Sequence, residues 1–180
     1  VAFYETIFYF SKYYSSILIL ETDVKFFKNY WYDKLHYLSL TRSFWILGSY
    51  YKGRTFLQKE IEQHLNGVGI YNVGNTNFIE AISFLRAYNV MREGINYDAI
   101  WSICKFEFST KFSQESDFGK VASNVRHFDN QLCNTNAIIN LAMPDDSYIT
   151  NIQLAKMYPK AILIHHNYRA VQSNTSSLDR

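Results

Sequence analysis

The stretch Ser16-Ile17-Leu18-Ile19-Leu20-Glu21-Thr22-Asp23-Val24 decides the predicted fold. Its four bulky apolar residues run directly into two acids, Glu21 and Asp23, that are separated by one residue. A short apolar run of this kind is typical of a buried strand, and ligands of open α/β sheets bind at the carboxyl ends of strands. Carboxylate oxygens are preferred ligands of hard cations such as Mg²⁺ and Mn²⁺. An ordinary strand followed by a polar turn is the alternative for this stretch by itself.

Length, charge and hydropathy limit the class of protein. The chain has 180 residues, and its 48% hydrophobic content suits one domain of ordinary size. A net charge of +2 with 19% charged residues gives no basic face, so we predict no nucleic-acid partner. No run of 18 apolar residues is present, which predicts no membrane span. The first residue is Val1 and no signal-peptide pattern follows, so we expect a piece of a longer chain.

Apolar periodicity predicts an alternation of helices and strands, which is the pattern of an α/β protein. Helices are expected over residues 3–14, from a cap at Asn29 onward, over about 76–88, and over roughly 147–157. Strands are expected at 17–20, 44–49, 136–142 and 161–166. Residues 64–73 are expected to be a loop that feeds a further strand. The predicted domain covers residues 1–166, and residues 167–180 are expected to be a polar tail or linker.

Three separate segments would have to converge to form a functional site. The first is the acid pair, the second is the segment from His64 to Tyr71, and the third is the histidine pair after the last predicted strand, His165 and His166. Carboxylate and imidazole from distant strand ends form a common metal arrangement. The alternatives are a solvated strand end for the histidines and a plain turn in the middle segment.

These segments, taken in order, resemble the GT-A-type nucleotide-sugar glycosyltransferases. The resemblance is to the nucleotide-diphospho-sugar transferase branch of algal, protist and large-virus type. It rests on residues 17–24 followed by 31–35, on 44–49, on 64–67 with 70–71, and on 161–166. In that family an acid-x-acid motif after a buried strand holds a divalent metal against the donor diphosphate, and a late histidine completes the metal site.

The resemblance implies a set of roles for individual residues. It makes Asp23 the first metal ligand, with Glu21 assisting directly or through water. Either His165 or His166 is the third protein ligand, and Mn²⁺ or Mg²⁺ is the cofactor. It implies substrate contacts from the following residues: Trp45, Gly48, Ser49, His64, Asn66, Gly67 and Tyr71. Packing in the core is the favoured alternative for Trp45. If the enzyme inverts stereochemistry, Asp98 is the candidate base for the acceptor hydroxyl, and its alternative role is an acid favoured at a helix N-terminus. The implied partners are a nucleotide-sugar donor and a glycan or protein acceptor.

Two departures from the family pattern shape the fold prediction. The usual first acid of the motif is Asp, whereas this chain has Glu21. Only one helix is predicted before the 17–20 strand. We therefore expect a partial, Rossmann-like mixed sheet of GT-A type, flanked by helices and lacking the N-terminal nucleotide-binding half. A protein partner or a second copy would then cover the exposed side.

Two functions are consistent with these expectations. The first is a metal-dependent glycosyltransferase that moves a sugar from a nucleoside-diphosphate sugar to its acceptor. The second is a non-catalytic relic of that fold, which serves as a structural or binding subunit. A shared metal site requires the carboxylate of Asp23 to lie within roughly 3–5 Å of an imidazole of His165 or His166. The compartment would be the secretory lumen in a eukaryotic secretory protein and the cytoplasm in a virus-encoded one.

Overall fold

The computed structural model describes residues 2–53, 65, 67–90, 131–142 and 149–166. These ranges contain four helices and eight strands. The helices are α1 (Ala2–Phe10), α2 (Trp31–Thr41), α3 (Thr76–Val90) and α4 (Asn151–Met157). The strands are β1 (Ile17–Ile19), β2 (Val24–Phe26), β3 (Ile46–Gly48), β4 (Tyr51–Gly53), β5 (Gly69–Tyr71), β6 (Leu132–Asn134), β7 (Ile138–Ala142) and β8 (Leu163–His166).

The strands form two four-stranded mixed sheets. The first has the order β1-β5-β3-β6, with only the β3–β6 pair parallel. The second has the order β2-β8-β7-β4, with β2 antiparallel to β8 and the other two pairs parallel. The α/β class predicted from the sequence is therefore confirmed. The prediction of one sheet is wrong, because β1, β3, β5 and β6 form one sheet, whereas β2, β4, β7 and β8 form the other.

Alternating side chains join the two sheets through a shared core. Leu47 and Ile70 of the first sheet pack in one buried cluster with Ile138 and Leu163 of the second. Their neighbours in sequence point the other way, as the two-residue period of a strand requires. Ile139 and Ile164 of the second sheet, for example, belong to a different cluster that includes Leu154 of α4. We call the cluster that contains Leu47, Ile70, Ile138 and Leu163 the central cluster. Its packing fixes which face of each strand is turned inward.

The other face of the first sheet is covered by α1 and α3. Phe78, Ile82 and Leu85 are spaced at three and four residues along α3 and are fully buried against Tyr4 and Ile7 of α1. This spacing places them on one helical face. The apolar stripe predicted for this helix is confirmed by their burial.

Several predicted boundaries need correction. The segment from Val24 to Phe26 was expected to lead into a helix, but it forms β2, because Val24 and Phe26 suit an extended edge that pairs with β8. The helix then starts at Trp31 rather than at a cap on Asn29. It follows Tyr30, whose backbone is left-handed at φ 57° and makes no side-chain cap hydrogen bond. β4 and β6 are short and were not predicted.

The first and the last described helix are both shorter than predicted. α1 ends at Phe10, and α4 begins at Asn151 behind a capping box formed by Thr150 and Gln153. The strand predicted at 17–20 is an edge strand of half-buried residues, and Leu20 after it is 40% exposed. The predicted tail, residues 167–180, lies outside the described residues, as do residues 147 and 148 of the predicted last helix. Among the described helices, none has the length and apolar content to cross a membrane.

Candidate metal centre

Strand pairing brings the acid pair to the late histidine. β2 and β8 run antiparallel with Val24 opposite His165, so Asp23 immediately precedes the partner of His165. On the other side of β8, Asn140 of β7 lies in register with His165. His165 shares the strand face of Leu163, because residues two apart on a strand point the same way. The site therefore lies at the end of the central cluster.

Three side chains converge at this position. The Nε2 atom of His165 lies 3.1 Å from Oδ1 of Asp23 and 3.2 Å from Oε2 of Glu21. The His165 side chain is only 3% exposed, whereas those of Glu21 and Asp23 are 42% and 35% exposed. The predicted proximity of Asp23 to a late imidazole is thus confirmed. His165 forms the buried floor, and the two carboxylates form the rim that faces solvent.

The convergent atoms fit a divalent cation. One ligand atom from each of Glu21, Asp23 and His165 lies within 4.8 Å of the others. Ligands at right angles around an ion, with bonds near 2.1–2.2 Å, are about 3.0–3.1 Å apart, which matches the contacts of Nε2. Within the described ranges, Nε2 of His165 is buried without a hydrogen-bond partner. Its 3.1 Å and 3.2 Å contacts bring the nitrogen close to two carboxylate oxygens, and either a proton or a metal ion would stabilise this arrangement.

Glu21 and His165 shift each other's pKa values. Burial is the largest influence on His165 and favours the neutral ring, but the contacts and charges of Glu21 and Asp23 together outweigh it. The pKa of His165 is therefore raised above its usual 6.5. The contact with His165 is the largest influence on Glu21, and it lowers the pKa of that carboxyl below 4.5 against the opposing effect of burial. Without a metal, the site attracts a proton to the imidazole.

Sequence reasoning missed Asn140, which contacts His165 from β7. The side chain of Asn140 is fully buried, and its Oδ1 lies 3.2 Å from Nδ1 of His165. Its Nδ2 donates to the backbone oxygen of Ser49 at 2.8 Å. A usable signal was present in the sequence, because Asn140 interrupts the apolar run Ile138-Ile139-Asn140-Leu141. A polar side chain in a buried strand needs hydrogen-bond partners.

The structure assigns several of the predicted substrate residues to the interior. Trp45 and Tyr71 are buried in the cluster that includes Phe78, and Tyr71 donates through its hydroxyl to the backbone oxygen of Gly67. Neither ring has a free face for stacking on a sugar, which corrects that prediction and bears out core packing for Trp45. Ser49 is fully buried and Gly48 is a buried strand residue, so neither is open to a substrate.

The other residues predicted for the site are Gly67, His166, His64, Asn66 and Asp98. Gly67 is buried beside the hydroxyl of Tyr71. His166 is the last residue of β8, and its backbone is in register with Leu141. His64, Asn66 and Asp98 lie outside the described residues, so their predicted roles stay predictions. The geometry thus joins Glu21, Asp23 and His165 and leaves the acceptor side of the site undefined.

Comparison with known proteins adds no family assignment. No protein-family model, no curated protein and no solved structure matches the chain.

Proposed function

We propose that this chain is the metal-binding portion of a divalent-cation-dependent glycosyltransferase, which moves a sugar from a nucleoside-diphosphate sugar to a glycan or protein acceptor. One observation carries the proposal: the buried Nε2 of His165 lies 3.1 Å and 3.2 Å from the carboxylates of Asp23 and Glu21. The acid-x-acid segment and the late histidine are distant in sequence, and their meeting agrees with the roles that the GT-A resemblance implies.

The ligand types favour Mn²⁺ or Mg²⁺. The group offers two carboxylates and one imidazole, and it contains no thiolate. Oxygen-rich sites suit Mg²⁺ and Mn²⁺, and a single imidazole favours Mn²⁺ of the two. With three protein ligands, a bound ion would keep positions open for phosphate oxygens and water.

Each of the three residues has a distinct part in binding. His165 is fixed by its burial between β2 and β7 and supplies a directed nitrogen ligand. Glu21 and Asp23 supply negative charge at a solvent-facing rim, where an anionic diphosphate could approach a bound ion. A bound divalent cation supplies the charge that stabilises a departing nucleoside diphosphate.

Calorimetric titration of Mn²⁺ into the protein tests the metal site directly. We expect binding to the unaltered protein, and loss of affinity of at least tenfold in Asp23→Asn and in Glu21→Gln, because each change removes an anionic ligand. Asp33→Asn and Glu80→Gln are the matched controls, since both acids are exposed and lie on helices α2 and α3. Equal binding by Asp23→Asn and Asp33→Asn would contradict the proposed site.

Sugar transfer is tested separately with a panel of sugar nucleotides in the presence of Mn²⁺. Release of the nucleoside diphosphate that depends on both Mn²⁺ and Asp23 supports the glycosyltransferase. Metal binding with no donor hydrolysis or transfer, in the longest chain that contains these residues, would contradict it.

The second candidate is a non-catalytic subunit in which the same three residues form a structural ion pair. The specific observation in its favour is the raised pKa of His165, since an imidazolium beside two carboxylates needs no metal. This reading predicts no heat of binding with Mn²⁺ and the same unfolding curve with and without a chelator. The glycosyltransferase hypothesis predicts a heat of binding with Mn²⁺ and an unfolding curve that changes when a chelator is added.

A further inference from the structure

Asn140 is held between two fixed partners inside the second sheet. Its backbone is in register with His165 across the parallel strands β7 and β8, and both side chains are buried. Its amide contacts Nδ1 of His165 on one side and the backbone oxygen of Ser49 on the other. An amide in this position has two orientations, which differ in the atom that faces the histidine.

The contact with Ser49 selects one orientation. A backbone carbonyl oxygen can only accept a hydrogen bond, so the group at 2.8 Å from Ser49 must be the donating Nδ2 of Asn140. The accepting Oδ1 then lies 3.2 Å from Nδ1 of His165. Because Oδ1 can only accept, Nδ1 must carry the proton of this hydrogen bond.

We propose that Asn140 is a positioning residue that holds the neutral ring of His165 in the Nδ1–H tautomer, with the lone pair of Nε2 turned toward Glu21 and Asp23. This inference rests on the proposed metal site and adds the residue that prepares its nitrogen ligand. In the neutral ring one nitrogen donates and the other accepts, so fixing the proton on Nδ1 leaves Nε2 as the electron donor. Hydrogen bonds to the second ring nitrogen fix metal-binding histidines in the same manner in many metal sites.

The chemistry of the amide also fits the charge of the site. A lone pair on Nε2 facing two carboxylates is unfavourable unless a cation lies between them, and Nε2 has no hydrogen-bond partner among the described residues. Asn140 adds no charge, so Glu21 and Asp23 together balance a divalent ion. A carboxylate at position 140 would orient the ring in the same way but would add a third negative charge to a buried environment.

Nitrogen NMR of the metal-free protein tests the tautomer without any substitution. With ¹⁵N-labelled histidine at a pH above the titration of His165, protonated and unprotonated ring nitrogens have distinct shifts. We expect His165 to be protonated on Nδ1, whereas the exposed His36 of α2 provides the solvent reference. Assignment follows from loss of the signal in His165→Gln. A proton on Nε2 of His165 would overturn the positioning role.

Two substitutions at position 140 test the consequence for metal binding. Asn140→Leu keeps the branched shape and the number of side-chain heavy atoms but removes the acceptor, and we expect about 10- to 100-fold weaker binding of Mn²⁺. Asn140→Asp keeps the acceptor, so it should retain the Nδ1–H tautomer and bind Mn²⁺ more tightly than Asn140→Leu. Circular dichroism establishes that each variant is folded, and the tautomer of the unaltered protein decides the question if either is not.

The outcomes separate this inference from the proposed function. Binding of Mn²⁺ without sugar transfer would contradict the glycosyltransferase and leave the role of Asn140 intact. Unchanged binding of Mn²⁺ by folded Asn140→Leu would overturn the positioning role and leave the three-residue metal site intact.

Discussion

Val24 and His165 are paired across the antiparallel strands β2 and β8. This pairing places Asp23, one residue before Val24, beside the ring of His165. A shift of one residue in the register would turn His165 to the opposite face of the sheet. The register is fixed because Leu163 enters the central cluster while Ile164 enters the cluster against α4. The geometry of the candidate metal centre thus depends on the packing of the apolar residues that precede His165.

A divalent ion should stabilise the fold if it binds this group. At a free Mn²⁺ concentration of 100 times the dissociation constant, the free energy of unfolding should rise by about 2.7 kcal/mol, because the ion binds the native site alone. Urea denaturation with Mn²⁺ and with excess chelator measures the difference. Asp23→Asn should lose most of this gain at the same ion concentration, and Asp33→Asn should keep it. A gain of equal size in both variants would place the bound ion elsewhere.

Stability of the metal-free protein should depend on pH through the same residues. The pKa of His165 is raised above 6.5, so its contribution is complete below 6.5 and is lost as the pH rises through the folded-state value. The pKa of Glu21 is lowered below 4.5, so its contribution is complete above 4.5 and is lost as the pH falls through the folded-state value. The two contributions are complete together between 4.5 and 6.5.

Urea denaturation in the presence of a chelator, repeated across this pH range, measures the effect. The double variant Glu21→Gln, Asp23→Asn removes the partners of His165, so the loss of stability above pH 6.5 should become smaller. The same loss in the double variant would assign it to other groups. Proton and metal compete for Nε2, so saturating Mn²⁺ should reverse the trend above 6.5.

The predictability of this fold differs between its elements. The stripe of Phe78, Ile82 and Leu85 identified α3, because helical periodicity over many residues is a strong signal. β2 was missed because three residues carry little periodicity and its identity is set by pairing with β8, which is remote in sequence. The same limit applies to β4 and β6, each of which contains three residues.

The candidate site shows the same division. Glu21, Asp23 and His165 could be selected because each follows a recognisable apolar run. Trp45 and Tyr71 were assigned to substrate binding, yet they are buried. The prediction failed because the sequence does not reveal which side of β3 and β5 faces α3. Asn140 was missed because its partners, His165 and the backbone of Ser49, are defined only by the register of β7.

Gly69 occupies a position where a side chain would strain the first sheet. An added Cβ would lie 3.0 Å from the backbone oxygen of Leu47 on the neighbouring β3. Because a backbone atom in a paired strand cannot move aside freely, Gly69→Ala should destabilise the protein by about 1–3 kcal/mol. Urea denaturation measures the change, with Ile152→Ala as the exposed control. An unchanged midpoint would show that β3 and β5 separate without cost.

Tyr71 distinguishes a core residue from a sugar-binding one. Its buried hydroxyl donates to the backbone oxygen of Gly67 at 2.8 Å, and its ring packs near Phe78. Tyr71→Phe keeps the ring but removes the donor, so the free energy of unfolding should fall by about 0.5–1.5 kcal/mol. Tyr13→Phe is the matched control, because Tyr13 is 66% exposed and should change stability little.

The two roles of Tyr71 also predict different effects of truncation. Tyr71→Leu, measured by urea denaturation, should lower stability further, because it removes ring contacts inside the buried cluster with Phe78. Titration of the folded fraction with sugar nucleotide and Mn²⁺ should then give the same affinity as the unaltered protein. Unchanged stability together with weakened sugar binding would restore Tyr71 to the substrate site. That result would require the ring to leave its position between Phe3 and Phe78, with which it now makes edge and tilted contacts.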